Sequence, residues 1–235
     1  MKKIVLALAM VAMVGAVSAQ GLSLGIKGGV NMSNFYGKEV KDTKMKLGFN
    51  VGIAADYEFE SNVAIQSGLY FTTKGAKLSS TNIDQKVGDI KLSGTVDKTA
   101  NAMYLQVPLH LAYKIDVTPG ARVVLHAGPY AAYGVGGKIS GKSTVKVSGN
   151  VPADQKAAVD AALKQINAST TTSVNTFDKK MGYKPFDAGV GIGVGAEFGS
   201  LLVDLGWDMG LLNISRNKDV NVKNQNAHLA VGFKF

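Results

Sequence analysis

The sequence predicts an all-β protein: an eight-stranded antiparallel up-and-down transmembrane β-barrel with a short helix in its third long loop. Three observations predict it. Apolar residues alternate with polar residues or glycine in eight separate stretches, and the connections between those stretches differ in length in turn, short then long. The outward aromatic residues collect near the two ends of the strands. Composition agrees. Glycine supplies 28 of 235 residues, about 12% against a usual ~7%, without the three-residue period of collagen. The absence of Cys excludes disulfide frameworks and thiolate metal sites, and three His argue against a His-rich metal centre. After the first twenty residues no apolar run reaches the ~18 residues a membrane-spanning helix needs.

Taken in order, the elements begin with a leader. Lys2 and Lys3 precede an apolar run from Ile4 to Val17, and Val17-Ser18-Ala19 ends in small residues. That is the layout of a cleaved secretory signal over 1–19, leaving 20–235 as one barrel domain. The first strand, Leu22 to Met32, sets Leu22, Leu24, Ile26, Val30 and Met32 against Lys27, Gly29 and Asn31. Leu47 to Phe59, Val63 to Thr73, Met103 to Ile115 and Val123 to Val135 repeat the pattern. In Phe186 to Phe198 every even position is apolar and every odd one is glycine or charged. Leu201 to Leu211 and Ala227 to Phe235 complete the set. Each stretch is roughly 9–13 residues, the length with which a tilted strand crosses a bilayer.

Short turns are expected at Glu60-Ser61-Asn62, at Asp116 to Ala121 and at Gly199-Ser200, the last a two-residue hairpin. Long, polar, Lys-rich segments fill 34–45, 75–101, 137–184 and 213–225. Short turns on one side and long loops on the other are the layout of an outer-membrane barrel, whereas a β-sandwich need not segregate its connections by length. Pro152 to Asn167, with Pro in the first turn and several Ala, reads as the loop helix. Tyr57, Phe59, Tyr113, Phe198 and Phe235 form one aromatic girdle, with Phe71, Tyr133 and Phe186 in the other. The last strand ends on Phe233 and Phe235, which resembles the signal read by the barrel-assembly machinery of a Gram-negative outer membrane.

The segments Tyr104-Leu105-Gln106-Val107-Pro108-Leu109, Gly128-Pro129-Tyr130 and Gly68-Leu69-Tyr70-Phe71 with Lys74-Gly75-Ala76 resemble the PorT-like, porin-like outer-membrane β-barrel proteins best populated in Bacteroidetes. The resemblance spans nearly the whole chain after the leader. It implies the fold and the outer-membrane location and says little about function. The chain departs from that pattern in its larger third loop.

Eight strands enclose a space just wide enough for side chains. The inward charges expected to form a network are Lys27, Asp56, Glu58, Lys114, Arg122, Glu197, Asp204 and Asp208, with Lys46, Lys74, Asp187 and Lys234 also facing inward. Gly191, Gly193 and Gly195 leave room for Asp204 and Asp208. Those two carboxylates stand four residues apart on a strand, about 13 Å, too far for a glycosidase pair, and read as ion-pair partners. His110 and His126 are expected to face each other and hydrogen-bond in the lumen rather than hold a metal. Pro108 and Pro129 each remove a ladder donor, which suggests a bulge.

Gly136 to Ser143 matches the G-x-x-x-x-G-K-[ST] phosphate loop. The β-branched residues that follow do not open a helix, so no nucleotide is expected. No nucleophile stands beside a poised base at loop level, so neither catalysis nor a cofactor is expected. The expected role is membrane integrity or surface interaction by a barrel with a side-chain-plugged lumen. The alternative is a narrow channel for ions or small solutes. Lys138, Lys142, Lys146, Lys179, Lys180 and Lys184 form a basic loop surface suited to lipopolysaccharide phosphates and other polyanions.

Overall fold

The computed structural model describes residues 21–38, 40, 43–87, 90–149, 153–169, 171–180 and 182–235. The leader expected at 1–19 lies outside them. The strands are β1 (Leu22–Tyr36), β2 (Thr43–Glu58), β3 (Val63–Val87), β4 (Ile90–Thr118) and β5 (Ala121–Gly149), then helix α1 (Ala153–Ser169). They continue with β6 (Thr171–Asn175), β7 (Phe186–Phe198), β8 (Leu201–Gly210) and β9 (Lys223–Lys234). All pairings are antiparallel. Eight strands close a ring in which β1 meets β9, β4 meets β5 and β5 meets β7. The short β6 lies against the outer part of β5, from Lys138 to Lys142.

The eight alternating stretches become the eight strands of the ring. Along β8, Leu201, Leu205, Trp207 and Met209 point outward, while Leu202, Asp204, Gly206 and Asp208 are buried. The pattern inverts that of a water-soluble protein. Its exposed side chains include Ile26, Val30, Phe49, Leu111, Ile192 and Leu229, and its buried ones include Asn31, Lys74, Lys114, Asp187 and Glu197. An apolar exterior around a polar interior is stable where the outer solvent is lipid.

Two expectations need correction. The strands β3, β4 and β5 run to 25, 29 and 29 residues, so most of 75–101 and the start of 137–184 are strand rather than loop. Beyond the bilayer neither face of a strand need be apolar, and period two then leaves no hydrophobic trace in the sequence. The ladders nonetheless continue from Asn101↔Lys138 to Ile90↔Gly149 and from Gly75↔Asn101 to Val87↔Ile90, helped by β-branched residues such as Thr95, Val96, Val145 and Val147.

The second correction concerns the prolines. Around Pro108 the register is unshifted, Ser67↔Leu109 and Tyr70↔Gln106 on one side, Pro108↔Tyr130 and Leu111↔Ala127 on the other. Pairing merely lapses between those positions, and Ser67 Oγ donates to the Pro108 carbonyl at 2.8 Å. A missing donor breaks a bond without adding a residue, and a bulge needs the added residue. The register shifts of this strand pair lie instead between Met103 and Tyr104, paired to Gly136 and Gly134 with Val135 as the extra residue, and between Asp116 and Thr118 beside the turn.

Candidate functional site

The lumen is built from inward positions of all eight strands, in three layers. At the short-turn end, β2 supplies Asp56 and Glu58, β4 Lys114, β5 Arg122, β7 Glu197 and β9 Lys234. Lys114 Nζ stands 3.0 Å from Asp56, 2.8 Å from Glu58 and 3.4 Å from Glu197. Arg122 reaches Glu58 at 2.6 Å and Glu197 at 2.7 Å, a fork suited to two carboxylates. Lys234 completes the set at 2.6 Å from Glu197 and 3.3 Å from Asp56. Three acids face three bases, so the layer is neutral. Gln66, which sequence reasoning missed, donates to Asp56 at 3.1 Å.

The middle layer gathers Lys27, the three histidines, Asp204 and Asp208. Asp204 faces Lys27 at 3.4 Å, His126 Nε2 at 2.9 Å and His228 Nε2 at 3.3 Å. His228, assigned no role from the sequence, thus joins the cluster. His110 and His126 are not directly opposed, since Ala112 is the partner of His126. Their rings stack diagonally, centroids 5.1 Å apart, with Nδ1 to Nδ1 at 2.9 Å.

Glycines make this possible. A Cβ on Gly193 would collide with the His126 ring, and one on Gly206 would lie 2.6 Å from His228. The third inward glycine, Gly195, lies beside Asp204. A cavity of about 80 Å³ remains, bounded by Tyr70, Gln106, His110, Asp204, Asp208 and Asn226 among others. It is large enough for several waters. Asp208 departs from expectation: among the described residues it joins no ion pair, and its Oδ2 accepts from Gln106 Nε2 at 3.0 Å. The reason is height, because Lys27 aligns with Asp204, four residues earlier on β8.

Toward the long-loop end, Lys74 and Asp187 are both fully buried with Nζ to Oδ2 at 3.7 Å. Tyr130 donates to the same carboxylate at 3.2 Å and Asn224 at 2.9 Å, while Lys74 Nζ lies 4.3 Å from the Tyr130 ring centre. Lys46, expected among the inward bases, is only half-buried, and its Nζ contacts the Leu47 carbonyl.

Above this layer segments expected as solvated loop fold inward. Ile214 and Val222 pack with Phe35, Ala76 and Ala100, and Tyr183 meets Phe35 edge-on at 5.3 Å. Burial pushes the Tyr183 hydroxyl above the usual tyrosine range. Phe177 caps Tyr104 at 5.5 Å. These apolar residues have irregular spacing, so no period marked them.

The six basic residues sit outside this cap. Lys138, Lys142 and Lys146 are exposed and share one side of β5, four residues apart, opposite Asn101, Asp97 and Ser93 on β4. Lys179, Lys180 and Lys184 are exposed on the segment after β6. Gly136 to Ser143 is strand paired with β4, so its amides do not converge on a phosphate. The helix expected over Pro152 to Asn167 runs from Ala153 to Ser169, and Asn167 bonds both the amide and the carbonyl of Val145 at 2.8 and 3.0 Å. Phe233 and Phe235 lie exposed and edge-on to each other at 5.9 Å. Among the described residues no three His, Asp or Glu side chains are grouped about one metal position.

Residues 18–216 match a family model described as outer membrane protein beta-barrel domain, a broader description than the PorT-like resemblance. No curated protein matches the chain. Solved structures similar to it include Neisserial surface protein A, 13% identical over 92% of this chain and 100% of the other, TM-score 0.39. A major outer membrane protein from Thermus thermophilus is 12% identical over 92% and 100%, TM-score 0.41. Ail, the attachment invasion locus protein of Yersinia pestis, in complex with the heparin analogue sucrose octasulfate, is 13% identical over 92% and 100%, TM-score 0.34.

Proposed function

The chain belongs to the outer membrane protein beta-barrel domain family, and on that footing we propose that it is a non-catalytic, PorT-like barrel of a Gram-negative outer membrane whose lumen is closed by side chains. Its basic outer surface serves membrane integrity or surface interaction. The observation that carries the reading is the stacking across one lumen of a neutral ion-pair layer, a histidine and carboxylate layer and an apolar cap. Paired charges in a confined space leave little continuous water. Enclosure supports the non-catalytic reading, since His110 and His126 are each 7% exposed. Pure protein in planar bilayers should give little or no conductance. Large, stable open-channel currents would replace this reading with the diffusion channel.

Export by a cleaved signal at 1–19 and insertion by the assembly machinery belong to the same proposal. Deleting Phe235 should leave export intact and lower the amount of heat-modifiable barrel in the outer membrane. An undiminished amount would remove Phe235 from that role.

The exposed lysines support a polyanion-facing surface, with lipopolysaccharide as the expected partner. Each charge is screened within about 8 Å at physiological salt, so only clusters act at a distance. Binding of a sulfated or phosphorylated glycan should weaken as salt is raised, and weaken further when Lys138, Lys142 and Lys146 are replaced together by Gln. Affinity indifferent to both changes would leave the lysines as solvating groups only.

A further inference from the structure

The middle layer differs from its neighbours in charge and in hydrogen bonding. The short-turn layer balances three acids with three bases, and Lys74 balances Asp187. In the middle layer Lys27 serves Asp204, and Asp208 is left without a cation among the described residues. An unpaired carboxylate that is 4% exposed is costly unless a positive charge reaches it.

The surrounding polar atoms have the same bias. His126 Nε2 donates to Asp204, so with both rings neutral His126 Nδ1 accepts from His110 Nδ1. The lone pair of His110 is then on Nε2. That nitrogen and Gln106 Oε1 are buried and meet no donor among the described residues. Their residues are 7% and 8% exposed and both line the cavity. Gln106 is fixed in orientation because its Nε2 donates to Asp208. Above Gly191 the groups converge: a Cβ there would lie 2.8 Å from Asp208 Oδ1 and 2.9 Å from His110 Nε2. His110 Nε2 and Asp208 Oδ1, both acceptors, meet there, and Gln106, whose Oε1 lacks a donor among the described residues, lines the same cavity.

We propose that this space binds one first-row divalent metal ion, ligated by His110 Nε2, the Asp208 carboxylate and Gln106 Oε1, with water in the remaining positions. A donor set with imidazole favours ions of the zinc, cobalt or nickel type over calcium or magnesium. The ion supplies the charge Asp208 lacks and the partner that His110 and Gln106 lack. The proposal does not depend on whether the lumen conducts.

The test is refolding of the full barrel in detergent with Co²⁺, followed by gel filtration and absorption spectroscopy. About one equivalent should be retained, with visible ligand-field bands and broadening of the His110 ring resonances. His110→Gln and Asp208→Asn should each weaken retention at least ten-fold. Gly191→Ala, which keeps all three ligands and fills the space between them, should do the same. Because the chain has no Cys and its three His all lie in this layer, an imidazole signature reports the layer, and its loss in His110→Gln assigns it to this site. Wild-type barrel that retains no metal overturns the proposal without reference to any variant, and this is also what a site filled by a proton alone would give. Retention and spectrum unchanged in folded His110→Gln overturn it equally.

Discussion

Replacing Lys114 with Met should destabilise the barrel by about 3–5 kcal/mol, the usual cost of removing one partner from a buried ion cluster. Lys114 is 1% exposed and its ammonium touches Asp56, Glu58 and Glu197 at once. Met keeps most of the volume and removes the charge, so three carboxylates remain against Arg122 and Lys234. Glu58 can turn toward solvent from its half-buried position, but Asp56 and Glu197 are enclosed. Adding Glu58→Gln to Lys114→Met restores the balance of charge and should recover part of the loss. Unfolding in urea with the barrel in lipid vesicles measures both. A loss below about 1 kcal/mol for the single variant would show that the cluster does not act as a unit.

Leu205→Arg should cost about 2–4 kcal/mol, as expected for a cation on the lipid face near the midplane. Leu205 is 54% exposed, faces outward midway along β8, and pairs with Val194 on β7 and Leu229 on β9. Its neighbours offer no acid on that face, and from mid-strand an Arg reaches the interface only with its chain extended. The same substitution at Tyr57, close to the Glu60-Ser61-Asn62 turn, should cost no more than about 1 kcal/mol, because the depth penalty vanishes near the interface. Equal costs at the two positions in a lipid refolding titration would reject the assignment of depth along the strands.

The wall of this protein is legible in its amino-acid order. Period two in Phe186 to Phe198 and Leu201 to Leu211 assigns a lipid face and a lumen face to each residue, because successive side chains on a strand point to opposite sides. The Gly199-Ser200 turn then sets the register of that hairpin: Asp204↔Gly195 and Asp208↔Gly191 follow from counting back from the turn. Inward charges such as Lys114 and Glu197 were legible for the same reason.

What meets across the lumen is not legible there. Alternation specifies a face and says nothing of height on a closed, sheared cylinder. Ring closure brings Lys234 on β9 against Asp56 on β2, 178 positions away. It also leaves Asp208 beside Gln106 and His110 instead of a lysine. The outer cap was equally hidden, since Phe177, Tyr183 and Ile214 are held by packing over the rim and obey no period. Above the membrane β3, β4 and β5 continue as strand because hydrogen bonding extends an established ladder at positions where no apolar face is required. Local pattern follows from the solvent on each side of the chain. Contact partners follow from the closure of the barrel, which sums the register of every strand pair.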